Sequence, residues 1–228
     1  MKSITFSTYK FKVSVLNENH YRLVPVKKDI GQLLPLWAQQ IHKASLEGVT
    51  NVSGTDAEIL IISDTPLTKH KAYFAKLSTK MPKSKTYEIP VCFAKGLDWN
   101  DIETQTGMTK RKIINVILKT EFTFSMYGFL PGFMYCLGLD TVSIERRNTP
   151  RKKVVAGSFA IGNKYVGFYN IESPAGWNVI GQSPIKLFNK SQQDNWISIG
   201  DKIKIKSITL KEWTALKIKQ LDLHQYQI

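Results

Sequence analysis

The sequence predicts an α+β protein in two parts, residues 1–85 and residues 86–228. In the first part, segments of alternating apolar residues are separated by stretches with the apolar spacing of an amphipathic helix. In the second part, the apolar segments after Glu121 are short and bounded by Gly, Pro or Asn, which is typical of β-strands. Between the two parts, residues 81–85 are polar and turn-rich, as domain junctions are.

The first part begins with strand-like alternation around residues 4–6 and 11–15. A helix is expected to begin near Pro35, because an interior proline would remove a backbone hydrogen bond, and to end near Gly48. Its apolar residues at helical spacing are Ile30, Leu33, Leu34, Trp37, Ala38 and Ile41. After a strand at 58–62, Thr65 and Pro66 predict the start of a second helix. The apolar face of that helix comprises Tyr73, Phe74, Leu77 and Met81.

The second part opens with a predicted strand at 87–93 and two helices, the first ended by Gly107 and the second capped by Thr109. Two helices joined by a short turn are also the arrangement of a DNA-binding helix-turn-helix motif. Beyond Lys112, however, most of the second helix is aliphatic, whereas a recognition helix needs polar side chains. Packing against a sheet is the favoured interpretation.

Six β segments follow, and a closed or nearly closed barrel is expected because an open sheet would expose long edges. These segments are 122–127, 154–161, 165–171, 177–180, 185–188 and 202–208. Residues 211–225 have a mixed pattern that allows a terminal helix.

Composition argues against several classes of protein. The net charge of +14 is spread evenly, with 13 basic and 6 acidic residues in 1–85 and 19 basic and 12 acidic residues in 86–228. Even spreading disfavours a nucleic-acid partner and fits a solvated surface or an acidic protein partner. No apolar run is long enough to span a membrane and the N-terminus lacks an apolar signal core, so a cytoplasmic protein is expected. Cys92 and Cys136 lie in apolar segments and the four histidines are scattered, so no metal site is expected.

Four motifs between residues 127 and 181 carry the functional signal: Gly-Phe-Leu-Pro-Gly-Phe at 128–133, Arg-Arg-Asn-Thr-Pro-Arg at 146–151, Ala-Gly-Ser at 156–158 and Ser-Pro-Ala-Gly-Trp at 173–177, followed by Ile180-Gly181. In the first motif, Phe129 and Phe133 lie on a turn stiffened by a proline. Their rings either close the end of the core or line a binding site. In the second, Arg147 and Arg151 suit bidentate capture of a carboxylate, a phosphate or an acidic partner, with a solvated basic loop as the alternative. The last motif has the signature of a type I turn, which would position Glu172 and Trp177.

No catalytic residue can be assigned from these patterns. Residues 157–164 nearly spell a phosphate-binding P-loop, but an extra Asn163 precedes the lysine and Tyr165 replaces Ser or Thr. Ser158 lacks both a nucleophile elbow and a nearby histidine. Asp140, Glu145 and Glu172 could act as acid or base only if the fold brings them into a cleft.

In their order along the chain, the four motifs resemble those of the family of 5-oxoprolinase B components. That family is also named for KipI-type inhibitors of sporulation kinase A and for subunit 1 of allophanate hydrolase. The resemblance covers residues 87–209 and, more loosely, the whole chain. It implies a small N-terminal α/β domain and a cyclophilin-like β-barrel domain. It also implies a hydrolase component, inactive alone, that works with a C component and an A component to open 5-oxoproline to glutamate with ATP. No ATP site is evident in this chain. The substrate-binding residues would be Phe129, Phe133, Arg147, Arg151, Ser158, Glu172 and Trp177.

The chain also departs from the family pattern. Relatives usually carry a histidine shortly before the Gly-Phe loop, and this chain has none between His70 and His224. Glu145 and Val155 replace prolines, and Ala175 replaces a glycine. Two other functions therefore stay open. One is a KipI-type protein that binds and inhibits a sensor histidine kinase, and the other is a prolyl isomerase, for which the chain carries no motif.

Overall fold

The computed structural model describes residues 3–189 and 197–228. The chain forms two compact units, Met1–Met81 and Pro82–Ile228. Both contain helices and strands, so the predicted α+β class is confirmed. That residues 1–85 and 86–228 are separate domains stays a prediction.

The first unit is a five-stranded antiparallel sheet covered by helices. Its strands are β1 (Ser3–Phe6), β2 (Tyr9–Asn17), β3 (His20–Pro25), β4 (Val49–Gly54) and β5 (Ile59–Ser63), in the spatial order β1-β2-β3-β5-β4. Helix α1 (Leu33–Lys43) buries Trp37, whose ring lies 6.0 Å from that of Phe6 and 5.9 Å from that of Phe11. A 3₁₀ turn, Leu67–His70, continues into the short helix α2 (Lys71–Phe74).

Two expectations for this unit were wrong, and two strands were missed. Helix α1 ends at Lys43, and Gly48, with a φ of 75°, lies in the turn before β4 instead. The second helix ends at Phe74 and does not reach Met81, although Leu77 is still buried. Strands β3 and β4 were not predicted. Each has few buried apolar side chains, so neither shows clear alternation.

The second unit contains a curled, half-barrel sheet of seven strands. These are β6 (Thr86–Val91), β7 (Phe122–Tyr127), β8 (Met134–Leu137), β10 (Ser158–Gly162), β11 (Tyr165–Tyr169), β13 (Asn178–Gln182) and β14 (Lys202–Ser207), in the order β13-β10-β11-β8-β7-β14-β6. The two edge strands meet at one end, where the Cys92 N–H donates to the Gln182 carbonyl at 2.9 Å and the Gln182 N–H donates back at 3.2 Å. A separate two-stranded sheet pairs β9 (Arg151–Val154) with β12 (Ser173–Ala175).

Helices α3 (Trp99–Thr106), α4 (Lys110–Lys119) and α5 (Leu210–Lys219) complete this unit, with 3₁₀ turns at Phe93–Lys95 and Leu223–Tyr226. As predicted, Gly107 ends α3 with a left-handed φ of 65°. The Thr109 side chain caps α4 by accepting the Lys112 N–H. Helix α4 buries Ile113 and Ile117, in keeping with a packing role.

Several predicted strands have different limits. The segment 154–161 is interrupted at Gly157, whose φ is 85° and where a Cβ would lie 2.3 Å from the Ser183 carbonyl oxygen. Residues 173–175 form strand β12 instead of a type I turn, because Ser173 pairs with Val154 and Ala175 pairs with Arg151. The segment 185–188 makes one bridge, from Lys186 to Asp222. Strand β8 was not predicted.

Candidate functional site

The loop between β7 and β8 holds Phe129 in an uncommon backbone conformation. Phe129 has a φ of 63°, and the Leu130 N–H donates to the Gly128 carbonyl at 2.7 Å, which closes a γ-turn around it. The Phe133 N–H donates to the Leu130 carbonyl at 3.0 Å, and the Gly128 N–H donates to the Phe133 carbonyl at 3.2 Å. The result is that Phe129 is 63% exposed while Phe133 is buried.

Phe133 belongs to a cluster of aromatic rings that includes Trp177. The Phe133 ring centroid lies 4.7 Å from that of Tyr169 and 5.2 Å from that of Trp177, both nearly perpendicular. Trp177 covers Gly162, where a Cβ would meet the indole at 2.6 Å. Phe133 and Trp177 are thus almost fully buried. In this structure the two side chains pack against each other and are not available at the surface.

Burial within this cluster changes the acidity of its phenols. Desolvation raises the pKa of Tyr169 to about 12, and a backbone hydrogen bond at Trp177 opposes part of that rise. Burial also raises the pKa of Tyr135, and the positive charge of Arg146 lowers it in part. Both rings therefore stay neutral at physiological pH.

A buried carboxylate, Asp98, holds the two arginines of the Arg-Arg-Asn-Thr-Pro-Arg motif that were expected to bind an anion. Arg147 Nη1 and Arg151 Nη2 both donate to Asp98 Oδ1. The backbone N–H of Val179 donates to Asp98 Oδ2 at 2.7 Å. The Asp98 side chain is only 1% exposed, so its charge is compensated by these donors and not by water. Asp101, on the first turn of α3, adds a second contact to Arg147 Nη1 at 2.7 Å.

Sequence reasoning found both arginines and missed Asp98. That residue stands directly before helix α3, and its side chain makes no capping hydrogen bond. Its partners lie 49 and 53 residues further along the chain. The Nε atoms of Arg147 and Arg151 are buried without a hydrogen-bond partner.

An open cleft of about 410 Å³ lies beside this ion cluster. It is lined by Asp101, Thr104, Gln105, the loop from Glu145 to Thr149, and Asn178. The Asn178 side chain is fully buried, and its Nδ2 donates to the Glu145 carbonyl at 2.7 Å while its Oδ1 has no partner. The Arg146 guanidinium lies 5.9 Å from the centroid of the Trp177 ring. The guanidinium groups of Arg146 and Arg147, which line the cleft, suit a small ligand that carries a carboxylate.

The other two predicted site residues lie elsewhere in this unit. Ser158 is buried, and its Oγ donates to the Val155 carbonyl at 2.7 Å. Glu172 is exposed and pairs with Lys153 at 2.7 Å. Neither is among the described residues that line the cleft. The structure thus brings Arg147 and Arg151 together, and the substrate-contacting role of the seven residues stays a prediction.

Neither a metal cluster nor a membrane span is present in the described part of the chain. Across residues 3–189 and 197–228, no group of three or more His, Cys, Asp or Glu side chains could hold a metal ion. Within the same ranges, no helix has the length and apolar character needed to cross a bilayer.

Solved structures identify the class of fold to which the chain belongs. The urea carboxylase of Kluyveromyces lactis superposes with a TM-score of 0.74 at 14% identity, over 96% of this chain and 24% of that one. The conserved uncharacterized protein PH0987 from Pyrococcus horikoshii gives a TM-score of 0.53 at 27% identity, over 88% of this chain and 99% of that one. The chain therefore has the fold of part of that urea carboxylase.

Sequence relatives are more specific. Residues 19–197 match the family described as carboxyltransferase domain, subdomain C and D, and the chain belongs to that family. The 5-oxoprolinase B component of Haemophilus influenzae is 31% identical over 191 residues, which cover 79% of this chain and 90% of that protein. The Bacillus subtilis protein of the same name is 31% identical over 134 residues. That match spans about half of each protein, 57% of this chain and 56% of the relative.

Proposed function

We propose that this chain is component B of an ATP-dependent 5-oxoprolinase and acts in a cytoplasmic complex with a C component and an A component. The reaction converts 5-oxoproline, ATP and water to glutamate, ADP and phosphate. The observation that carries the proposal is the 31% identity to the 5-oxoprolinase B component of Haemophilus influenzae over 90% of that protein. On this proposal the curled sheet is a cyclophilin-like barrel and residues 86–228 form its domain.

The cleft fits the substrate class. 5-Oxoproline has a carboxylate, a lactam N–H and a lactam carbonyl. Arg146 and Arg147 line the cleft and would hold the carboxylate, or the anionic group of a phosphorylated intermediate. Asp98 and Arg151 would keep Arg147 in place, while Phe133 and Trp177 support the loops from behind. ATP would be used by the assembled complex.

The direct test is glutamate formation from 5-oxoproline and ATP by purified A and C components, with and without this protein. The proposal expects activity only when the protein is present. No activity from a complex that is assembled and folded would contradict it. An inhibitor of a sensor histidine kinase, in contrast, would act alone at stoichiometric concentration, which a kinase autophosphorylation assay measures.

Two variants sharpen this test. Arg151→Ala removes one of the two guanidinium groups on Asp98 and should abolish turnover in the reconstituted complex. Lys217→Ala removes the charge of an exposed residue on α5, away from the cleft, and should leave turnover unchanged. Circular dichroism on both variants separates loss of the site from loss of the fold. Equal turnover in the two variants would remove Arg151 from the mechanism.

A further inference from the structure

Arg147 contacts two carboxylates that differ in burial. Its Nη1 donates to Asp98 Oδ1 and to Asp101 Oδ2, the latter at 2.7 Å. The Asp98 side chain is 1% exposed, whereas the Asp101 side chain is 57% exposed. Removing the buried carboxylate would leave buried positive charge without compensation. The exposed carboxylate can exchange its arginine for water at little cost, because exposed ion pairs contribute little free energy.

The charges of this ion cluster balance only when Asp101 is included. Asp98 supplies one negative charge and contacts two guanidinium groups, those of Arg147 and Arg151, which leaves one positive charge in excess. Asp101 neutralises that charge from the side of the cleft, whose lining includes both Asp101 and Arg147. Another anion that enters the cleft therefore competes with Asp101 for Arg147.

A second cation favours such an anion. Arg146 is exposed and lines the cleft beside Arg147. Within residues 3–189 and 197–228 its guanidinium makes no ion pair, and it lies 5.9 Å from the centroid of the Trp177 ring. A ligand carboxylate is free to contact both arginines, whereas the Asp101 carboxylate is tethered to α3 and contacts Arg147 alone.

The backbone of the arginine loop is held by three hydrogen bonds of its own. The Glu145 N–H donates to Gln105 Oε1 at 3.1 Å, and the Glu145 carbonyl accepts from Asn178 Nδ2 at 2.7 Å. The Arg147 N–H donates to the Gly176 carbonyl at 2.9 Å. The loop therefore keeps its conformation whichever anion contacts its arginine side chains.

We propose that Asp101 occupies the place on Arg147 that the substrate carboxylate takes, and that the substrate binds by displacing it. This inference rests on the proposed function, which supplies 5-oxoproline as the ligand. Asp101 lies in the first turn of α3 and is mostly exposed, so a rotation of its side chain releases it into water. Asp101 thus competes with the substrate and lowers the affinity of the cleft for it.

The test is equilibrium binding of labelled 5-oxoproline, without ATP, to the complex assembled with the natural chain or with either of two variants. Asp101→Asn keeps the size of the side chain and removes its charge, and we expect it to bind about threefold to fivefold more tightly. Glu88→Gln is the matched control. Its carboxylate also pairs with an exposed cation, Lys206 at 3.4 Å, and lies outside the cleft lining that the structure describes. Its affinity should change by less than about twofold.

The sign of the change separates displacement from support. If Asp101 held Arg147 in place for the substrate, Asp101→Asn would bind more weakly. Should the natural complex turn over 5-oxoproline while Asp101→Asn binds no more tightly, the displacement is wrong and the proposed function stands. Equal tightening by Glu88→Gln would reveal a general effect of net charge and would also overturn the role of Asp101. If the complex with the natural chain neither binds 5-oxoproline nor turns it over, the proposed function fails and this inference fails with it.

Discussion

Asp98 and Arg151 lie 53 residues apart in the sequence and form an ion pair in which the carboxylate is 1% exposed and the guanidinium 30% exposed. Arg147 shares the same carboxylate oxygen. One buried charge thus ties the start of α3 to the arginine loop and to the start of β9, and through the Val179 N–H to β13. The position of the cleft depends on this contact, because the loop supplies most of its lining.

Replacing Asp98 should strongly destabilise the second unit. Asp98→Ala leaves two largely buried guanidinium groups without their shared acceptor and the Val179 N–H without its partner. We expect a loss of about 3–5 kcal/mol in the free energy of unfolding, measured by urea denaturation. Asp101→Ala is the matched control. Its side chain also contacts Arg147 but is 57% exposed, so the loss should stay below about 1 kcal/mol. Similar losses in the two variants would show that Asp98 is not the centre of the cluster.

A second prediction concerns the close packing of Gly167 against Trp177. Gly167 lies on β11, where a Cβ would meet the Met134 carbonyl oxygen at 2.4 Å and Trp177 Cζ3 at 3.0 Å. The first contact is with backbone and cannot be relieved by a side-chain rotation, so Gly167→Ala should cost about 1–3 kcal/mol. Gly176→Ala is the control, because a Cβ there meets nothing within 4 Å. It should be neutral or stabilising by up to about 1 kcal/mol. Thermal denaturation compares the two, and a Tm of Gly167→Ala equal to that of Gly176→Ala would contradict the packing.

Local signals in the sequence predicted local structure. The helix end at Gly107 and the cap at Thr109 were found because each depends on one residue and its immediate neighbours. Strand β4 was missed because few of its side chains are fully buried, so its stability comes from pairing with β5 and not from its own pattern. Gly157 breaks a long apolar run for a reason that is tertiary, the approach of the Ser183 carbonyl.

In the candidate site, too, features with a local sequence signal were predicted and features that depend on tertiary structure were missed. Arg147 and Arg151 were recognised because they are close together in one motif, and the structure places them on one carboxylate. Asp98 and Asn178 could not be recognised, since their partners are distant in the sequence and their burial depends on the completed sheet. Positive φ at Phe129 also has no sequence signal, because that conformation normally requires glycine.

The two cysteines test whether the interior of the second unit is closed to reagents. Cys92 and Cys136 are both free and buried, and burial raises the pKa of the Cys136 thiol well above its ordinary value. We expect neither thiol of the native protein to react with a thiol-specific reagent at mildly alkaline pH, and both to react after denaturation. Rapid labelling of native protein would show that the structure around Cys92 or Cys136 opens.

Tyr169 gives the second unit a predicted dependence on alkaline pH. Its folded pKa is about 12, against an ordinary value of 10.0, because burial disfavours the phenolate. A raised pKa means that the neutral ring is favoured in the folded state. The contribution of Tyr169 to stability is therefore complete below pH 10 and is lost as the pH rises towards 12.

Tyr135 also has a raised pKa, so the effect of Tyr169 has to be measured as a difference. Tyr169→Phe removes the titrating group and keeps the ring. The variant also loses the backbone hydrogen bond at Trp177, which shifts its stability by a constant amount below pH 10 and does not change the slope there. We expect the free energy of unfolding of the natural chain to fall more steeply than that of Tyr169→Phe between pH 10 and 12, measured by urea denaturation at each pH. Parallel curves over that range would show that the Tyr169 hydroxyl is solvated and that the aromatic cluster is open around it.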